Sequence, residues 1–191
     1  MKKVLLTAAL VMVATSAFAT NISTTKHNLS SGGTQSIKGA NGEICKYCHT
    51  PHNAGATAPL WNRLAPTAIT TKYTSTSMKA TPATPTGTSL MCLSCHDSAP
   101  IAQTDTTLNI TIADPNTVIN DRAGNGMAND HPVSIVYNTT DPALKATPAV
   151  VKLFGTTMEC ASCHAVHDGS NPPFLRESNA GSALCLECHN K

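Results

Sequence analysis

All eight cysteines of this 191-residue chain fall into a single five-residue pattern, which limits the folds open to it more than any other feature. The pattern occurs as Cys45-Lys46-Tyr47-Cys48-His49, Cys92-Leu93-Ser94-Cys95-His96, Cys160-Ala161-Ser162-Cys163-His164 and Cys185-Leu186-Glu187-Cys188-His189. C-x-x-C-H is the attachment motif of c-type haem: the two thiols form thioethers with the vinyl groups, and the adjacent His turns under the ring to bind iron. The spacing suits one turn of helix, with both thiols gripping one edge of the macrocycle. A zinc site would need C-x-x-C pairs completed by other ligands, and it gives no reason for a His to follow the second Cys every time. A disulfide framework, the default for an exported chain, gives none either. The reading is covalent haem c, four per chain, on Cys45, Cys48, Cys92, Cys95, Cys160, Cys163, Cys185 and Cys188, with His49, His96, His164 and His189 as proximal iron ligands.

The N-terminus is consistent with export. Met1-Lys2-Lys3 is a basic start, residues 4–13 are a short apolar run, and Ala17-Phe18-Ala19 is a small-x-small cleavage signal. Together they read as a signal peptide over residues 1–19, with the mature chain starting at Thr20. The apolar run is too short to span a bilayer comfortably, and no later segment is long and apolar enough, so no membrane span is expected. Without Lys2 and Lys3, the remaining 11 basic side chains balance the 11 acidic ones. A nucleic-acid role therefore lacks its electrostatic footprint.

Four proximal ligands leave His27, His52, His131 and His167, one for each remaining axial position. These are the expected distal ligands. The competing Met78 and Met127 recur in no patterned place. His52 and His167 each follow a proximal His by three residues. Axial nitrogens on one iron lie about 4 Å apart on opposite ring faces, if iron resembles zinc at roughly 2 Å per bond. Three residues span at most about 10 Å, too little to carry the backbone around the macrocycle. His52 and His167 are therefore expected to reach a different haem, and sequence proximity favours the mates within their own modules, on Cys92/Cys95 and Cys185/Cys188.

The same ordered set of segments occurs twice. The first copy runs His27-Asn28-Leu29-Ser30, the Cys45-to-His52 segment, then Cys92-Leu93-Ser94-Cys95-His96. The second runs His131-Pro132-Val133-Ser134, the Cys160-to-His167 segment, then Cys185-Leu186-Glu187-Cys188-His189. After each paired His comes an apolar stretch ending in Arg, Pro59-Leu60-Trp61-Asn62-Arg63 and Pro173-Phe174-Leu175-Arg176, whose apolar side chains are expected to pack on haem. The chain divides into a signal peptide (1–19), a first dihaem module (20–97), a connecting segment (98–130) and a second dihaem module (131–191). Residues 65–88, rich in Thr, Ala and Pro, read as a surface loop or linker. Residues 108–112 and 133–137 alternate apolar and polar, which predicts a short hairpin around Gly124-Asn125-Gly126. Aromatic residues make up only 4% of the chain, so the porphyrins themselves should form the core. The fold class expected is mostly irregular coil, with short helices at the C-x-x-C-H sites, a minor β-hairpin and a stacked haem core.

The repeated C-x-x-C-H-x-x-H followed by C-L-x-C-H, with His131-Pro132-Val133-Ser134 upstream, resembles the doubled-CxxCH multihaem cytochromes of metal-respiring bacteria. It is most similar to the tetrahaem members that polymerise into extracellular filaments, or nanowires. The resemblance implies all-bis-His ligation, a continuous haem stack, and a His from one subunit completing a haem in the next; His27, on a polar N-terminal arm, is the first choice for that residue, although both it and its duplicate His131 could equally be internal. It also implies electron transfer rather than catalysis, self-association, and exchange with other multihaem cytochromes or extracellular acceptors. A location outside the cell or at its surface follows, with the periplasm as the alternative. A monomeric periplasmic shuttle and a subunit docked on a partner enzyme use the same chemistry. A multihaem reductase would need an open iron site, against which the eight His for eight axial positions argue.

Overall fold

The computed structural model describes residues 22–55, 58–66, 69, 71–98, 118–121 and 124–190. The expected signal peptide and residues 108–112 lie outside these. Most of the described chain is turn and coil, and apart from a 3-10 turn at Ile22–Thr24 the short helical pieces gather at the four attachment motifs. A 3-10 turn covers Ile44–Tyr47, helix α1 covers Gly87–Leu93, α2 covers Cys160–Cys163, and α3 covers Ala183–Leu186 behind a 3-10 turn at Ala180–Ser182. The motif itself sets these turns. In each one the backbone N–H of the His donates to the carbonyl of the first Cys, at 2.9 Å for His49, 3.1 Å for His96, 3.1 Å for His164 and 3.0 Å for His189. One helical turn thus puts both thiols and the imidazole on a common edge.

Strands β1, Ile135–Val136, and β2, Thr157–Met158, form a small antiparallel sheet with Ile135 opposite Met158. Alternation along β1 works as the sequence implies: Ile135 and Tyr137 are buried, while Val136 points out. β1 pairs forward with β2; its expected hairpin partner, residues 108–112, lies outside the described residues. Met158 supplies the second buried apolar side chain that Ile135 needs. The glycine turn is present, closed by Gly126 N–H to Asp121 O at 2.9 Å, but it delivers Met127 to Thr71 O at 2.7 Å.

Among the described residues, Ile135, Tyr137, Val151, Met158 and Cys188 form a small apolar cluster in the second copy. Met78 and Ala80 of the Thr-rich stretch pack against it. The described residues between 71 and 86 are turn, bridge and coil, and Met78 and Ala80 bring this stretch against residues of the second copy. Lys79 adds an ion pair to Asp141 at 3.0 Å.

A buried polar joint fastens the two copies together. Helices α1 and α2 pack against each other, and Glu159, which precedes α2, is 4% exposed. Its carboxylate accepts from Ser89 Oγ of α1 and from Ser134 Oγ at 2.9 Å. Its N–H donates to Ser162 Oγ at 2.8 Å, completing a capping box with the usual acid and hydroxyl positions exchanged. Ser89 Oγ also accepts from Cys160 N–H at 2.9 Å. The second and third attachment turns are thereby held side by side.

Candidate haem-attachment sites

Each C-x-x-C-H-x-x-H turn is backed by a return segment that runs antiparallel to it. In the first copy Thr50 N–H donates to Leu60 O at 2.8 Å and Asn62 N–H to Cys48 O at 2.9 Å. In the second, Ala165 N–H donates to Phe174 O at 2.7 Å and Arg176 N–H to Cys163 O at 2.8 Å. Leu60 and Phe174 both occupy the left-handed region, at φ 62° and 63°, a costly conformation for a bulky side chain, repeated here at matching positions. Asn62 and Arg176 are thus equivalent. Their side chains do the same work: Asn62 Nδ2 donates to Lys46 O at 2.7 Å, and Arg176 Nε to Ala161 O at 2.9 Å, each carbonyl belonging to the residue after the first Cys. The two arginines that end these stretches are one register apart, and Arg63 matches Glu177.

Sequence reasoning missed several supporting groups. Trp61 Nε1 donates to Ser94 Oγ at 3.1 Å, linking the first return segment to the second attachment turn. Arg63, 1% exposed, donates from Nε to Tyr47 O at 2.8 Å. His164 Nδ1 donates to Pro173 O at 2.9 Å, which fixes the tautomer and leaves Nε2 with its lone pair free for a metal. Aligning the return segments on Pro59 and Pro173, instead of on their arginines, gives the register that the backbone shows.

The eight thiols are unpaired in the structure. Cys45 and Cys185 are exposed, Cys188 is buried, and the others are half-buried. Burial pushes the Cys48 thiol up to about 11, with Cys95 adding to this and Arg63 pulling it back. Burial likewise raises Cys95 and Cys163. Cys92 and Cys160 touch across the joint between copies; Cys92 donates its S–H, so its proton is held tightly and Cys160 is pulled down.

Of the proximal candidates, His96, His164 and His189 are half-buried and His49 is exposed. Of the distal candidates, His27 is half-buried, and His52, His131 and His167 are exposed. Two pairs come together. The His27 and His96 rings lie 6.2 Å apart between centroids, as do those of His49 and His167. Imidazoles on opposite sides of one iron, with nitrogens about 4 Å apart, place their ring centres about 6 Å apart, so this spacing fits two axial ligands. Burial, followed by the neighbouring His96, His164 and His167, lowers His27 to about 4. It is therefore neutral, as a ligand must be. Phe174 of the second copy stacks on it at 4.5 Å.

The sequence expectation assigns His52 to the haem of Cys92/Cys95 and His167 to the haem of Cys185/Cys188, and favours His27 for a neighbouring subunit. The structure brings the His27 ring beside His96 and the His167 ring beside His49. The α1–α2 joint folds the second C-x-x-C-H-x-x-H against the first copy.

The residues present fit covalent haem c: free thiols in pairs, an imidazole after each pair, two pairs of imidazole rings 6.2 Å apart, and a buried guanidinium with orphaned Nη1 and Nη2. Residues 155–191 match the doubled CXXCH motif family. The matched stretch holds the third and fourth attachment motifs and supports a multihaem c-type cytochrome. No curated protein matches the chain. Among the described residues, no helix is long and apolar enough to cross a membrane.

Proposed function

We propose that the chain is a tetrahaem, bis-His c-type cytochrome that carries electrons rather than catalysing a reaction at an open iron, and that it is exported and self-associates into an extracellular filament. The observation that carries this reading is the set of four attachment turns, which use every Cys and are each followed by an imidazole. Haem bound there supplies one-electron redox chemistry. The residues of the chain fix the thiols and imidazoles on rigid turns, hold the second and third turns together through Glu159, and orient His164 through Pro173 O.

With His27 beside His96 and His167 beside His49, the candidates for the irons at His164 and His189 are His52 and His131. Both are exposed. A subunit contact made through a ligating imidazole thus falls on one of them more naturally than on His27. The test is the mass of the denatured secreted protein together with electron microscopy of the extracellular fraction. Four covalent haems and ordered fibres are expected. Fewer haems, or free thiols, overturn the tetrahaem reading, and stoichiometric carbon monoxide binding to the reduced protein would favour an open-site reductase.

A further inference from the structure

Arg63 is 1% exposed, yet only its Nε has a partner, the Tyr47 carbonyl at 2.8 Å; Nη1 and Nη2 have none. A guanidinium stays charged at any physiological pH, and leaving one buried without an anion is strongly unfavourable. The return segment fixes its location. Trp61 reaches Ser94 at 3.1 Å, in the second attachment turn, and Asn62 reaches Lys46 O at 2.7 Å, in the first. Arg63, next in line, is therefore anchored beside both turns of the first module. The second copy has no equivalent cation, since Arg176 fills the place of Asn62 and the register of Arg63 is taken by Glu177, whose buried Oε2 is likewise unpartnered.

Resting on the tetrahaem reading, we infer that Arg63 is an internal carboxylate-binding residue that takes a haem propionate of the first module through Nη1 and Nη2. The planar fork of a guanidinium matches a carboxylate with two parallel hydrogen bonds, and a propionate is the anion that a haem attached at Cys45/Cys48 or Cys92/Cys95 brings to this place. The fixed positive charge also favours the reduced state of the haem it serves. Glu177 gives the second module the opposite sign, so the module potentials are separated by charge at one matched position.

The experiment uses the full-length haem-loaded protein. Arg63→Gln is expected to keep the haem mass of the wild type, to shift the propionate bending band in resonance Raman spectra, and to lower at least one midpoint potential in a spectroelectrochemical titration. Arg63→Lys should restore most of the potential but not the band, because an ammonium keeps the charge and loses the fork. Glu177→Gln should move a potential upward. Wild-type band and potentials in Arg63→Gln overturn the proposal. Should that variant fail to mature, a wild-type band in Arg63→Lys does so. Wild-type potentials that follow chloride concentration would assign the guanidinium to a solvent anion and also overturn it. A haem count below four in the wild type would instead sink the tetrahaem reading.

Discussion

The two return segments are copies of one device built from different side chains. Both place a left-handed residue, Leu60 or Phe174, opposite the residue after the proximal His, and both give a side-chain donor to the carbonyl after the first Cys. In the first copy the donor is the short amide of Asn62, 2% exposed, and the next residue is the buried Arg63. In the second it is the long Arg176, half-buried, followed by Glu177. The difference teaches that the backbone of the turn is the duplicated unit. The charge set beside it was free to diverge, and it diverged in sign.

The largest effect should come from the joint on which both copies depend. Glu159→Ala removes the acceptor shared by Ser89 and Ser134, and hydrogen bonds to a charged group contribute about 1.5–3 kcal/mol each, so a loss of about 3 kcal/mol is expected in urea unfolding of the haem-loaded protein. A loss confined to the second module's haem signals would show that the copies stand independently. Next in size is a matched pair of truncations. Asn62→Ala removes a donor that is 2% exposed and should cost about 1–3 kcal/mol, whereas Arg176→Ala removes a half-buried donor and should cost less than about 1 kcal/mol. Equal costs would erase the asymmetry proposed between the donors. Trp61→Phe should give the smallest change, about 0.5–1.5 kcal/mol for the lost bond to Ser94, read from the same unfolding curves. Its spectral counterpart should appear at the first module alone.

What the sequence made readable follows from how local the governing chemistry is. Thioether attachment requires two thiols and an imidazole within five residues, so Cys45 to His49 and its three counterparts announce both their turns and their chemistry. The buried face of β1 is also local, since alternation alone puts Ile135 and Tyr137 inside. The partner of β1 is not local: Met158 is a lone apolar residue between Thr157 and Glu159, with no periodicity to mark it as a strand. The pairing of His167 with His49 lies further still from view. It depends on α1 meeting α2, and the groups that join them are two ordinary serines and one glutamate whose burial no pattern signals. The return segments were legible in kind but displaced by one position, because an arginine is a more conspicuous landmark than the proline that carries the true register.

The Glu159 joint has a consequence for the order in which the chain can be completed. Ser89 of the first copy, at 0% exposure, directs its hydroxyl into a carboxylate that precedes the third attachment turn, and Ser134 of the second copy, at 3%, meets the same group. A chain ending before Glu159 leaves the Ser89 hydroxyl and the flank of α1 without a counterpart. The second attachment turn is therefore expected to reach its final packing only when the third has been made.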